Sequence, residues 1–229
     1  MPKALIFDVF GTLVDWRGSI ARGLTPWIDG EAERLAFADA WRARYQPAME
    51  SVRSGARPFV PLDTLHRENL DGVIGDRAAP IPEADRDRVN LLWHTLDGWA
   101  DTAPGLARLG ADFILAPHSN GNIRLMLDMA RHNGWRWDAI LGAETTGHYK
   151  PQPESYLGAA RLLMLPPNEV MMVAAHNGDL AAAKACGLST AFIPRPTEHG
   201  PGQTIDLTPE GDWDVVAADL GDLAAKLSA

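Results

Sequence analysis

The sequence holds one cysteine, Cys186, among 229 residues, so no disulfide can form within the chain. That scarcity suits a reducing compartment, and with no redox or metal motif around it Cys186 reads as a small buried hydrophobe, not a reactive thiol. No apolar run reaches the roughly 18 residues of a membrane span, and no charged segment leads into an apolar one at the start. The chain is therefore expected to be soluble, unexported and cytoplasmic. No block of Lys or Arg relieves the formal net charge of −9, which argues against nucleic acid and anionic membranes as partners. Internal repeats, heptad runs and low-complexity tracts are missing too. His118, His132, His148 and His199 share no spacing that suggests a metal site.

What remains is an ordinary globular composition, 46% hydrophobic and 22% charged, long enough for one large domain or two small ones. The stretch Lys3 to Asp15 is an apolar run, then Asp8, then a turn at Gly11. It reads as a buried strand that delivers Asp8 to a strand end, where open α/β sheets bind ligands and where a carboxylate can serve as nucleophile.

After Asp15 the pattern turns helical until about Trp99. Leu35, Phe37, Ala38, Trp41, Tyr45, Met49 and Val52 form an apolar stripe over Glu31 to Val52, with Arg42 and Arg44 beside it and Pro47 expected to kink or end its first part. Leu62 to Ile74 and Glu83 to Leu96 are further helical stretches, separated by the linker Asp76 to Pro82. From Pro104 helices and strands alternate, which implies a parallel sheet: strands at Asp112 to Pro117, Ala139 to Leu141, Val170 to Ala174 and Thr190 to Ile193. Helices are expected at Gly105 to Leu109, Ile123 to Asn133, Pro153 to Met164 and Leu180 to Cys186. The eight tryptophans are scattered, as core packing would leave them.

Three loops fall at strand ends. The first, His118-Ser119-Asn120-Gly121, offers a hydroxyl and an amide beside a flexible turn. The second, His148-Tyr149-Lys150-Pro151, carries a cation. The third, Ala175-His176-Asn177-Gly178-Asp179, carries an acid.

The spacing of Asp8, Gly11, Thr12 and Asp179 resembles the haloacid dehalogenase superfamily, whose first motif is Asp-x-x-Gly-Thr with the Asp as nucleophile. Ser119-Asn120-Gly121 and Lys150-Pro151 resemble its second and third motifs. The superfamily's phosphatases place a second Asp, general acid and magnesium ligand, where this chain has Phe10. A phenyl ring neither donates a proton nor binds a hard cation, and halide leaves without protonation. The segment Phe7 to Trp16 thus resembles the L-2-haloacid dehalogenase branch.

The resemblance implies a doubly wound, mostly parallel α/β core from 1–14 and 98–229, with a helical cap inserted at 15–97. It implies catalytic roles for Asp8, Thr12, Lys150, Asp179 and His176, and substrate or halide contacts from Phe10, Arg42, Ser119, Asn120, Tyr156 and Asn177. No metal or cofactor is implied. The expected reaction is hydrolysis of a short 2-haloacid through an aspartyl ester on Asp8, with Arg42 at the departing halide and Asp179 at the hydrolytic water. Better-known members carry Ser and Asn where this chain has Ala174 and His176; the imidazole would either crowd and hydrogen-bond a small halide or assist the water. The rivals are a phosphotransfer enzyme on the same core and a non-catalytic binding protein of this fold. The only partner implied is the small haloacid, with a homodimer left open.

Overall fold

A computed structural model describes residues 1–228. Its centre is β1 (Ala4–Phe7), four apolar residues with no exposed surface. Burying side chains such as Leu5, Ile6 and Phe7 contributes about 1.5–3 kcal/mol each, so this strand anchors the sheet that carries Asp8. Successive side chains point to opposite faces: Leu5 and Phe7 join one apolar cluster, Ile6 the other.

The chain then enters helices α1 (Trp16–Gly23), α2 (Glu31–Ala43), α3 (Tyr45–Arg53), α4 (Leu62–Arg77) and α5 (Arg86–Asn90), with short 3-10 turns at Glu83–Asp85 and Leu91–Thr95. It returns beside its point of departure. Val14 pairs with Gly98, Asp15 N–H donates to the Asp97 carbonyl at 2.9 Å, and Trp99 N–H to that of Leu13 at 3.0 Å.

Next come α6 (Thr102–Leu109), β2 (Ile114–Ser119), α7 (Ile123–Asn133), β3 (Leu141–Gly142), α8 (Ala143–Thr146), α9 (Pro153–Leu162), β4 (Val170–Ala174), α10 (Asn177–Ala185), β5 (Ser189–Phe192), β6 (Val215–Val216) and α11 (Leu220–Leu227). All strand pairs are parallel, in the order β3-β2-β1-β4-β5-β6. This is the expected doubly wound α/β sheet. Phe7 lies opposite Pro117 and Val173, so the residues that follow all three strands emerge at one edge, where the strand order reverses about β1.

Several boundaries differ from the sequence reading, each for a local reason. The Glu31 to Val52 helix breaks at Arg44, not at Pro47; Pro47 sits in the first turn of α3, where its missing N–H costs nothing. Glu83 to Leu96 is one short helix between two 3-10 turns. Strand β2 starts at Ile114 because Asp112 and Phe113 still bond back to Leu109. Strand β3 starts at Leu141, and α9 stops at Leu162, before Met164 at φ +56°. Helix α10 starts at Asn177, so the acid-bearing loop supplies its first turn. Cys186 is half-buried at the end of α10, not a core residue, and burial pushes its thiol up, away from reactivity. Among the described residues no helix is long and apolar enough to cross a membrane.

Candidate active site

Asp8 follows β1 directly and is 7% exposed at the floor of a cleft of about 820 Å³. Its two oxygens have different partners. Oδ1 accepts from Lys150 Nζ at 2.9 Å, whereas Oδ2 accepts from the Thr12 hydroxyl at 2.7 Å and lies 3.1 Å from His176 Nδ1. Burial alone would raise the Asp8 pKa, but the Lys150 charge, then His176 and Thr12, hold it well below the usual carboxylate range. The carboxylate is thus ionised and oriented.

Thr12 is fixed from behind, since its Oγ1 accepts from Ala175 N–H at 2.9 Å, which commits its proton to Asp8. Lys150 Nζ also donates to Asp179 Oδ2 at 2.5 Å. Burial disfavours the ammonium, yet Asp179 and Asp8 hold its pKa above the ordinary lysine value. Two of its three protons are engaged, leaving one for a ligand. Tyr156 donates to Asp179 Oδ1 at 2.6 Å, and burial followed by the Asp179 charge keeps the phenol protonated. Lys150 N–H donates to Asn120 Oδ1 at 2.8 Å, which leaves the amide Nδ2 for the cleft that Asn120 lines.

Helices α1, α2 and α3 supply the opposite wall. Arg42 lays its guanidinium over Tyr45 at 4.0 Å, with Trp16 at 5.4 Å and Phe10 at 5.7 Å. Its Nη1 is buried without a protein partner. An unpaired guanidinium N–H held by aromatic faces is a natural place for a small anion. Phe10 packs edge-on to Trp93 at 5.7 Å and to His66 at 6.2 Å, and burial pushes His66 down to about 3, so that ring is neutral.

Two expected contacts are not brought to the cleft. Asn177 points away from it: its Nδ2 donates to Asp206 and to the Thr208 carbonyl, and its Oδ1 accepts from Glu210 N–H and Trp213 Nε1. It anchors the loop after β5. Ser119 is fully buried and its Oγ accepts from Gly121 N–H, shaping the turn without lining the cavity. Both nitrogens of His176 face carboxylates, so in this arrangement neither is left for a departing halide.

Sequence reasoning missed Glu198. It comes from the loop after β5, is 1% exposed, lies 2.8 Å from His176 Nε2 through Oε2, and accepts from Trp16 Nε1 at 3.1 Å through Oε1. Gly11, at φ +88°, makes room for it, since a Cβ there would fall 2.1 Å from Glu198 Oε1. Arg195 was missed as well. Its Nε donates to the Thr12 carbonyl and its two Nη atoms grip Asp101 at 2.7 and 2.8 Å, tying this loop to the Asp8 turn. Neither residue stands in a recognisable motif.

The donor set does not fit a hard divalent cation. The Lys150 ammonium bridges Asp8 and Asp179, and an apolar ring stands at Phe10.

The sequence pattern of the haloacid dehalogenase-like hydrolases matches residues 2–187. The crystal structure of a defluorinating L-2-haloacid dehalogenase superposes with a TM-score of 0.96 at 50% identity, covering 100% of this chain and 96% of that one. A second L-2-haloacid dehalogenase structure gives 0.95 at 51% identity, covering 100% and 99%. The (S)-2-haloacid dehalogenase 4A of Burkholderia cepacia is 28% identical over 196 residues, 84% of this chain and 83% of that protein. With half its residues shared across the full length and the family pattern spanning most of it, the chain belongs to the haloacid dehalogenase-like hydrolases, in their L-2-haloacid dehalogenase branch.

Proposed function

We propose that this protein hydrolyses short L-2-haloacids to 2-hydroxyacids, with Asp8 as nucleophile and helices 15–97 as a cap over the core of 1–14 and 98–229. One observation carries the reading: a buried, ionised Asp8 shares its cleft with the Arg42 guanidinium, whose Nη1 has no protein partner. The similarity to L-2-haloacid dehalogenases supports it.

In the first step one Asp8 oxygen attacks C2 from the side opposite the halogen, forming the C–O bond as the carbon–halogen bond breaks and inverting the centre. Arg42 and Asn120 Nδ2 take up the charge that develops on the halide. Lys150's remaining proton and backbone N–H groups after β1 hold the substrate carboxylate. In the second step water adds to the Asp8 carbonyl and gives a proton to Asp179. Splitting one hard displacement by water into two steps is what a covalent nucleophile contributes. Phe10 fits a leaving group that needs no proton. A single cysteine and a lack of membrane-spanning helices among the described residues suit the cytoplasm as its compartment.

The test is halide release from fluoro-, chloro- and bromoacetate and 2-chloropropionate, with Asp8→Asn as control. Single-turnover reaction in labelled water should place the label in Asp8 before it reaches product. No halide from any acid, or label directly in product, would reject the reading.

A further inference from the structure

We propose that Glu198 is a positioning residue that keeps His176 doubly protonated, so that His176 Nδ1–H and the Thr12 hydroxyl form the oxyanion site for hydrolysis of the Asp8 ester. This rests on the hydrolytic reading above and assigns the second step to residues which that reading leaves without a role.

The argument starts from donors and acceptors. Nδ1 of His176 lies 3.1 Å from Asp8 Oδ2 and Nε2 lies 2.8 Å from Glu198 Oε2. Ionised carboxylates only accept, so both ring nitrogens must donate, and the ring that satisfies both contacts is an imidazolium. Glu198 cannot turn away: its other oxygen is held by Trp16 Nε1, and its carboxylate fills the space that Gly11 leaves open. The charged groups around His176 agree. Asp8 at the end of β1 and Glu198 in the loop after β5 are anions in contact with it. Arg42 and His199 act on Glu198 from beyond, and Lys150 sits on the other Asp8 oxygen. Burial disfavours the charged ring, but the Glu198 and Asp8 carboxylates hold its pKa well above the ordinary imidazole value.

A ring in that state is not a base for water; it is a donor. Both it and Thr12 point at Oδ2, while Oδ1 has only Lys150. Oδ1 is therefore the oxygen that forms the ester bond to C2, and Oδ2 becomes the ester carbonyl. Water then bonds to Cγ and passes one proton to Asp179. Negative charge appears on Oδ2, between the imidazolium and the hydroxyl. The Cγ–Oδ1 bond breaks, and the departing alkoxide takes a proton from Lys150, which Asp179 restores. The new Asp8 carboxyl loses its remaining proton to solvent, so the turnover releases one halide and one proton.

Glu198 matters because of the intermediate. Once Oδ1 is esterified the charge of Asp8 is gone, and Glu198 is the one carboxylate still touching His176. Without it the ring would lose its proton at the stage when the oxyanion needs it.

Two measurements decide this. In the wild type, nitrogen NMR of the His176 ring, which needs no substrate, should show both nitrogens protonated at neutral pH; a neutral ring would overturn the proposal even if haloacids are turned over. Glu198→Gln should release one equivalent of halide per enzyme at near-normal rate, then accumulate aspartyl ester, visible by intact-protein mass. Its ester hydrolysis should be slower at neutral pH by up to roughly 100- to 1,000-fold, the ceiling set by loss of a whole oxyanion donor, because the oxyanion then faces an uncharged ring, and recover as pH falls. Unchanged turnover, or loss of the halide burst in step with turnover, would overturn the proposal. Should Glu198→Gln not fold, Glu198→Asp with the same burst and ring measurements replaces it. Absence of halide release in the wild type would instead sink the proposed reaction and leave the ring measurement standing.

Discussion

Replacing Lys150 by Met removes the one cation that touches both buried acids. Lys150 is 6% exposed, with Asp8 Oδ1 at 2.9 Å and Asp179 Oδ2 at 2.5 Å, and Met keeps most of its volume. Breaking a buried pair by removing one partner costs about 3–5 kcal/mol because a charge is left uncompensated. For a chain of this size each kcal/mol moves Tm by about 2–4 °C, so Tm should fall by about 6–20 °C at neutral pH. The pH dependence is the sharper test. In the wild type the depressed Asp8 pKa contributes stability that is present above the unfolded carboxylate pKa and is lost only as pH falls through the folded value. Without Lys150 only His176 and Thr12 still oppose burial at Asp8, so its pKa rises from that depressed value. The stability gap between variant and wild type should therefore widen as pH rises from the depressed folded Asp8 value of the wild type to the higher folded value of the variant, and narrow again on acidification. Asp8→Asn in the Lys150→Met background should recover part of the loss, a coupling of about 1 kcal/mol or more. Denaturant unfolding of the four proteins at several pH values measures all of this. A deficit that is equal at every pH, with additive effects in the double variant, would mean that Lys150 acts through packing alone.

Arg42→Lys keeps the charge but not the planar fork, so turnover should fall more for fluoroacetate than for bromoacetate; equal losses would remove Arg42 from the leaving-group site. Gly11→Ala places a Cβ 2.1 Å from Glu198 Oε1 at φ +88°, and should cost about 1–2 kcal/mol from the backbone alone while slowing ester hydrolysis more than halide release. Asn177→Ala leaves the Thr208 carbonyl, Glu210 N–H and Trp213 Nε1 without their partner and Asp206 with only the backbone N–H of residue 177, so the loop after β5 should become sensitive to protease and stability fall by about 1–3 kcal/mol. A stable, protease-resistant Asn177→Ala that loses substrate affinity would return Asn177 to the binding set.

The fold was legible where burial repeats along the chain. The runs Leu5 to Phe7 and Val170 to Ala174 are apolar on both faces, which only a central parallel strand requires, and the helix Ile123 to Asn133 matches its periodicity residue for residue. Boundaries failed where a single hydrogen bond decides. Helix α10 begins at Asn177 because Asp179 and Leu180 N–H both find the His176 carbonyl, a choice no periodicity carries. Strand β6 is two residues long and owes its place to β5, so it left no pattern to read.

At the site, the strand-end motifs brought Asp8, Thr12, Lys150 and Asp179 to notice, and the structure bonds them into one network. The reading of His176 drew on its distance from Asp179 and set it against either the halide or the hydrolytic water; the structure sets its ring between Asp8 and Glu198, which enters from another loop. Glu198 is an acid in a polar segment with nothing in its neighbours to mark it, yet its place is specified from both ends. Trp16 supplies an indole N–H just past the Asp8 turn, Gly11 within that turn gives up its side chain to admit the carboxylate, and His176 closes the contact from the start of α10. A glycine in the first motif explains itself by its turn alone. Only the position of Glu198 shows that this glycine also holds open the space for an anion. That anion gives the imidazole its charge, and a side chain at Gly11 should therefore disturb chemistry on an oxygen it does not touch.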